Sequence, residues 1–580
     1  MFQDIKKIIG KKNTNILKIF LFMNILMFFL ETISILSIPL FVSSIVDTEV
    51  IINKINNLGF INFSELDKFS LIKFISILVI SIFFLKNLTL LILNFYQGKF
   101  IEKIKTDTSN TLYQHYLNMP YLSHLNKDPS TLTRNVIVST EGIYVFINHL
   151  MNFTRESIAI LVILSLLIFT SPILSITLII FFSILIVAYL KLVKPKIKIK
   201  SNFNNQLRKK ITQLIFESFN SIKDLKVSMK EKYIQNFFNN NISQYEKNLF
   251  YFQFNEKLPK IFLELFSIIF VSLVALLFFS FTENFTSYLA QISLIVICIF
   301  RFIPAFNGVA VSSVYLKIAK PDLKNLRNEI EEVEKINQKK NFYRQDKSLD
   351  LLEENSQNNF LLIKNLNFNY NEKTSPIFDV NLKIDKGEII GITGDSGAGK
   401  STFFYLMLGL ILPDKGNIFY NNKSIFDNLN EWRKKISYVS QNSFLLDGTI
   451  QKNIAFNYVE DEKIDQNKID KALSTAELKS KVESLSGGLN AQVGHGGIKL
   501  SGGEKQRVAI SRALYASPEI IFMDESTSAL DVTTEKKIIQ NIQKNYPHTT
   551  LLIIAHRKST LEQCNRVFKL LNGKLNAQIK

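Results

Sequence analysis

Six stretches of this 580-residue chain are apolar over about the twenty residues that cross a bilayer as a helix. They cover 15–46, 70–96, 145–170, 172–190, 261–281 and 286–318. No other feature restricts the fold as strongly, because a backbone inside lipid must satisfy its own hydrogen bonds. A six-span α-helical bundle is therefore expected for residues 1–330. Two connections are short turns, Thr170-Ser171-Pro172 and Thr282-Glu283-Asn284; the connections 97–144 and 191–260 are long and polar.

Charge orients the bundle. Residues 1–330 hold 35 Lys and Arg against 20 Asp and Glu, while 331–580 hold 34 against 30. Most of the net +19 thus accompanies the apolar runs. Lys6, Lys7, Lys11 and Lys12 precede the first run, and twelve Lys and Arg crowd 191–232. Basic flanks stay on the cytoplasmic side, so both termini and the long loops of this multi-pass chain are expected inside. The first run is too long for a cleaved signal and lacks a small-residue cleavage site, which makes it an uncleaved span. With no zinc-finger spacing or RNA-binding aromatic motif, nucleic acid is not an expected partner. Cys298 and Cys564 are too few for a disulfide framework.

The long inner loops predict helices that continue beyond the bilayer and turn through short transverse segments. One is expected at Asp128–Val138, with Pro129 as a break and Ser130 as a cap; the other at Glu217–Ile222. Between the first two spans, Ile51, Ile52, Ile55 and Leu58 recur at helical spacing over 47–69. That pattern suits a short amphipathic helix lying on the membrane or packed on the protein itself.

Charges inside spans cost about 2.5 kcal/mol or more each and mark function or pairing. Glu31, Lys86 and Arg301 lie mid-span, and Lys260 and Glu264 stand four residues apart near the inner end of the fifth. Two readings are open. Glu31 could neutralise Lys86 or Arg301 and merely join helices. Alternatively, surplus positive charge could receive an anionic headgroup.

Residues 331–358 are polar and read as a helix end and linker before a second domain at 359–580. There, strands and helices alternate, as in an α/β domain with a mainly parallel sheet. Gly394-Asp395-Ser396-Gly397-Ala398-Gly399-Lys400-Ser401-Thr402 follows the strand-like Glu388–Ile392 and opens a helix. This is the context that a phosphate-binding loop requires. Its N–H groups and helix dipole favour phosphate, Lys400 reaches the β/γ-phosphates and Ser401 offers a hydroxyl to Mg²⁺. Downstream, Ile520-Ile521-Phe522-Met523 ends in Asp524 and Glu525. Asp524 suits Mg²⁺, and Glu525 a general base toward attacking water.

Between them stands Leu500-Ser501-Gly502-Gly503-Glu504-Lys505-Gln506-Arg507. With this stretch the domain resembles the nucleotide-binding domain of the ATP-binding cassette (ABC) family. The resemblance implies that Tyr370 stacks on adenine, that Gln441 is the Q-loop residue and a Mg²⁺ ligand, that Ser528–Asp531 is the D-loop, and that His556 is the switch histidine. It also implies ATP and Mg²⁺ as cofactors. Each ATP would lie between one copy's phosphate loop and the other copy's Ser501, Gly502, Gly503 and Gln506, with Asp531 alongside, so the partner is a second copy in a homodimer.

Six spans followed by one cassette resemble an ABC exporter half-transporter, in which the transverse segments act as coupling helices. Arg301-Phe302-Ile303-Pro304-Ala305-Phe306-Asn307, Glu31-Thr32-Ile33-Ser34-Ile35 and Lys86 further resemble bacterial lipid-linked oligosaccharide flippases. The expected activity is ATP-driven flipping or export of an amphipathic anion, such as a lipid-linked oligosaccharide, with Lys86, Arg301 and Glu31 at the substrate. Export of drugs or peptides is the alternative. An ATP-gated regulatory module is disfavoured because Glu525, Gln441 and His556 are all present.

Overall fold

The computed structural model describes residues 2–46, 68–170, 172–281, 285–346, 359–370, 376–456 and 464–578. The segment 47–67, where the short amphipathic helix is expected, lies outside them. The chain divides into two units: 1–119 with 125–336, and 337–580 with Pro120–His124.

In the first unit long helices carry the apolar runs. They are α1 (Phe2–Val46), α2 (Lys68–Asn118), α5 (Thr140–Thr170), α6 (Pro172–Asn220), α8 (Glu231–Phe281) and α9 (Phe285–Asp346). Among the described residues, Ile5–Ile45, Phe69–Asn118, Pro129–Phe169 and Ile292–Glu332 are long and apolar enough to cross a membrane. The expected spans 172–190 and 261–281 lie on α6 and α8, where part of the side chains fall outside the described residues. α1 is broken at Gly10, whose φ of 79° is a conformation open to glycine. α9 continues to Asp346, so the polar stretch expected as linker begins as helix.

The bundle is apolar outside as well as inside: Phe84, Leu91, Phe169 and Phe300 are each at least 66% exposed. In water such a surface would drive aggregation; against lipid tails it costs nothing. Two buried clusters hold the helices together. One joins Leu17, Ile104, Phe146 and Leu326, the other Ile163, Leu263, Cys298 and Phe302.

A short helix falls within the first transverse segment that the sequence suggested, and the second segment lies later than expected. After α2 come α3 (Tyr121–Leu125) and α4 (Pro129–Arg134), and a π-helical stretch, Asn135–Ser139, leads into α5. Asp128, not Ser130, caps α4: it accepts from the Ser130 N–H at 3.0 Å, and Pro129 occupies the first turn, where a missing N–H costs nothing. The second segment is α7 (Ile222–Val227), five residues later than expected, because α6 runs on to Asn220.

The second unit contains two sheets. β1 (Leu361–Phe368), β2 (Ile377–Ile384), β4 (Lys415–Tyr420) and β5 (Lys423–Ser424) form an antiparallel sheet in the order β2-β1-β4-β5. The other contains β3 (Ile389–Thr393), β6 (Ile436–Val439), β7 (Ile520–Asp524), β8 (Thr550–Ile554), β9 (Arg566–Leu571) and β10 (Lys574–Gln578). Its order is β10-β9-β3-β8-β7-β6, parallel except at β10. β7 and β8 are buried throughout, which is why their sequences read as unbroken apolar runs rather than alternating ones. Ligands of such sheets bind beyond the carboxyl ends of the strands, and the candidate residues converge there.

Candidate nucleotide site

Four neighbouring parallel strands deliver four loops to one edge. β3 ends in the phosphate loop, β7 in Asp524 and Glu525, β8 in Ala555 and His556, and β6 leads to Gln441. Asp524 pairs with Ile554 in the ladder, so the residues that follow them, Glu525 and Ala555-His556, emerge side by side.

In the phosphate loop a Cβ at Gly399 would meet the Pro376 carbonyl at 2.3 Å, and φ there is 97°. Only glycine fits this turn. α10 (Lys400–Met407) starts directly after it, with its orphan N–H groups at the loop. Lys400 is buried and donates to the carbonyls of Gly394 (2.8 Å) and Asp395 (3.0 Å). Among the described residues no carboxylate is ion-paired to it, so a buried cation stands ready for an anion. Asp395, Ser396 and Gly397 are exposed around it, and Ala398 closes a turn onto the Asp395 carbonyl. Tyr370 is 37% exposed, meets Phe368 edge-on and lies 3.3 Å from Thr402 Oγ1 through its hydroxyl.

Asp524 is buried, and burial pushes its carboxyl above the usual aspartate range, with Glu525 adding to the rise. Tyr438, Ser401 and Lys400 pull the other way. Tyr438 donates to Asp524 Oδ2 at 3.3 Å. A desolvated carboxylate beside the Ser401 hydroxyl offers hard oxygen donors. It suits Mg²⁺ shared with nucleotide phosphates rather than a closed protein cage.

Glu525 has a φ of 47°, an unusual conformation for a residue with a side chain. Its N–H bonds the Ile554 carbonyl. Gln441 Nε2 donates to its Oε2 at 2.7 Å, and His556 Nε2 lies 3.0 Å from its Oε1. Three residues from three loops thus meet at one carboxylate.

The signature stretch caps a helix. Ser501 begins α11 (Gly502–Tyr515) with a reciprocal capping box: its hydroxyl accepts from the Glu504 N–H, and Glu504 accepts from the Ser501 N–H. Ser501 and Gly502 are exposed, and Gly503 abuts the Ala529 carbonyl. Gln506 grips the D-loop, donating to Ser528 Oγ at 3.3 Å and accepting from the Ala529 N–H at 3.0 Å. Asp531 caps α12 (Val532–Asn545), accepting from Thr533 and the Thr534 N–H, which holds its carboxyl well below the usual range.

Sequence reasoning missed Arg557. Its guanidinium donates to the carbonyls of Leu530 (2.6 Å) and Ser528 (2.7 Å), tying the D-loop to the segment that carries His556. Its position next to His556 was the available signal.

In the first unit the mid-span charges do meet. Arg301 binds Glu31 through two nitrogens, one contact at 3.2 Å, and Lys86 lies 3.8 Å from Glu31. Glu31 is joined there by a second acid. Glu156 lies 3.6 Å from Arg301 and 3.2 Å from Arg155. A cavity of about 230 Å³ is lined by all five charges, three basic and two acidic. A larger one, about 680 Å³, shares Arg155 and Glu156 and adds Glu256, Lys260 and Glu264. There His149 stacks on Tyr315 at 4.4 Å, and Tyr315 donates to Glu256. Lys260 and Glu264, expected as a possible pair, form no ion pair with each other among the described residues.

Residues 377–528 match the family model of the ABC transporter, and residues 21–304 that of the ABC transporter transmembrane region. Over 217 residues the chain is 36% identical to the ATP-dependent lipid A-core flippase of Cupriavidus pinatubonensis, a match spanning 37% of each protein. It is 38% identical over 212 residues to the ABC transporter B family member 29, chloroplastic, of Arabidopsis thaliana, covering 36% of this chain and 33% of that one. The match thus spans about a third of these relatives' length. The fold is similar to that in "Structure of a bacterial Atm1-family ABC exporter with ATP bound", with a TM-score of 0.69, 20% identity, and 97% and 95% of the two chains covered. With both regions matched, from 21 to 304 and from 377 to 528, the chain belongs to the ABC transporter family and joins its transmembrane region to its nucleotide-binding domain.

Proposed function

We propose that the protein is an ATP hydrolase that drives export or flipping of an amphipathic, lipid-like anion across a bacterial inner membrane, working as a homodimer. The observation that carries this reading is the carboxylate of Glu525, held by Gln441 and His556 beside Asp524. Lys400 and the N–H groups of 394–402 bind the phosphates, and Tyr370 stacks on adenine. Glu525 accepts a proton from the attacking water, while Gln441 and His556 fix its two oxygens. Ser401, Asp524 and Gln441 would hold Mg²⁺, which supplies charge neutralisation at the β- and γ-phosphates. Ser501, Gly502 and Gly503, at the exposed start of a helix, supply the opposite wall of the second copy's site. Gln506 and Asp531 keep that wall and the D-loop in register. Loss of the γ-phosphate removes what holds two copies together.

The anionic substrate follows from the smaller cavity, where Lys86, Arg301 and Arg155 exceed Glu31 and Glu156 by one charge. Relatives named as lipid A-core flippases support a lipid. A second reading, export of an amphipathic cation, is favoured by Glu156, Glu256 and Glu264 in the larger cavity. The test is ATPase activity of the full chain in liposomes, with a pyrophosphate-linked lipid or a lipophilic amine added. Stimulation by the lipid alone supports the first reading; stimulation by the amine alone replaces it with the second.

A further inference from the structure

We propose that Glu535 is a positioning residue for the pair formed by Glu525 and His556. It stands in the first turn of α12, just beyond the D-loop, and is 1% exposed. A carboxylate buried so deeply is costly unless its oxygens are bound. Its Oε1 accepts two hydrogen bonds from two different loops. Thr527 Oγ1 donates at 2.5 Å and Thr560 Oγ1 at 2.6 Å, and both threonines are buried. Its Oε2 is buried, makes no hydrogen bond and lies 3.6 Å from Arg557 Nη1.

Each partner belongs to one member of the pair. Thr527 stands just after Glu525, and the turn around it closes through the Ser528 N–H on the Glu525 carbonyl. Thr560 lies in the helical turn Lys558–Leu561, just after His556, and its N–H bonds the Arg557 carbonyl. Arg557 in turn holds the carbonyls of Ser528 and Leu530. Glu535 thus ties the backbone that carries Glu525 to the backbone that carries His556. The 3.0 Å between Glu525 Oε1 and His556 Nε2 depends on how these two segments are held. So does the unusual φ of Glu525, a strain that persists only where the surroundings enforce it. Buried as it is, Glu535 acts on the reaction through geometry alone. A base displaced by a fraction of an ångström slows the chemical step and leaves the phosphate loop intact.

The inference rests on Glu525 as the general base, and the experiment separates the two claims. ATPase kcat and KM are measured on the full chain in liposomes. Binding of a fluorescent ATP analogue counts the competent sites, and melting temperature is followed alongside. Glu525→Gln tests the underlying reading; wild-type turnover there overturns it and the inference with it. With Glu525→Gln inactive, Thr560→Val and Glu535→Gln test the inference alone. Thr560→Val keeps the shape of the side chain and removes one bond to Glu535. Glu535→Gln keeps Oε1 as an acceptor and removes the charge beside Arg557. Each should lower kcat per competent site about 5-fold, the size of one ordinary hydrogen bond, with KM and analogue affinity unchanged. Thr560→Ser, which restores the hydroxyl, should recover kcat. A merely structural carboxylate would lower the melting temperature, leave kcat per competent site unchanged, and give no difference between Thr560→Val and Thr560→Ser. Thr527→Val and Thr527→Ser are the second pair should Thr560→Val fold poorly. Unchanged kcat per competent site in Glu535→Gln or in the valine variant, no recovery in the serine variant, or analogue affinity lost in step with kcat overturns the inference.

Discussion

His556 Nε2 lies 3.0 Å from Glu525 Oε1, across the gap between the ends of two adjacent parallel strands. Gln441 takes the other oxygen. A carboxylate held at both oxygens in an unusual backbone conformation is organised for a task, and strain of that kind persists only where the surroundings enforce it. Glu525→Gln keeps the shape and removes the base. Hydrolysis should fall about 10²–10⁴-fold with ATP binding retained. Wild-type turnover in the purified variant would remove Glu525 from this role.

Arg557 carries a prediction that no motif contains. Its two bonds to D-loop carbonyls need a planar fork, which Lys lacks. Arg557→Lys should lower ATPase activity about 10-fold by loosening 528–530, since hydrogen bonds from charged donors are worth about 1.5–3 kcal/mol. Melting temperature should change little. Full activity in Arg557→Lys would show that the tie is incidental.

Composite sites predict a mixing result. Lys400→Ala and Ser501→Arg homodimers should each be inactive. Mixed together, they form heterodimers with one intact site, uniting the Ser501 of one chain with the Lys400 of the other. ATPase activity should reappear on mixing. Continued inactivity, with heterodimers present by cross-linking, would contradict the shared site.

The Glu31–Arg301–Lys86 cluster separates gluing from recognition. Removing Glu31 leaves buried cations uncompensated, so Glu31→Gln should cost about 3–5 kcal/mol and lower membrane yield. Lys86, 3.8 Å away, contributes less to that pair. Lys86→Gln should melt nearly normally and lose stimulation by a pyrophosphate-linked lipid. Full stimulation in Lys86→Gln would assign the cluster to structure alone.

Asp524 gives a pH signature. Its folded carboxyl sits above the ordinary range, so the folded state binds the extra proton. Stability falls as pH rises through that window, and the charged form costs stability above it. Without nucleotide and metal, Asp524→Asn should melt higher than the parent near pH 7, and the gap should close as pH falls and the parent's carboxyl becomes neutral. A gap that does not depend on pH would reject this cause.

Much of the nucleotide site was legible because its chemistry needs fixed residue types at fixed spacings. Gly399, Lys400, Ser401, Asp524 and Ser501 all sit at strand or helix ends that apolar runs announce. Arg557 had only its place next to His556 as a signal, because its partners are backbone carbonyls, which no sequence pattern displays. Glu156 could have been found: an Arg-Glu pair within the expected span 145–170 is as costly as Lys86, yet adjacent opposite charges read as self-neutralising. The second transverse segment starts five residues later than expected, and the cap of the first is Asp128 instead of Ser130, since both are good caps and only three-dimensional geometry chooses between them. Tyr121 was invisible as a member of the second unit, because one aromatic in a loop has no signature for the surface it meets.

The most direct measurement of the central claim is ATP-dependent transfer of a fluorescent pyrophosphate-linked lipid between leaflets of liposomes holding the full-length protein. The account predicts transfer with ATP and Mg²⁺, and none without ATP or with Glu525→Gln. Transfer at the same rate without ATP, or by Glu525→Gln, would contradict it.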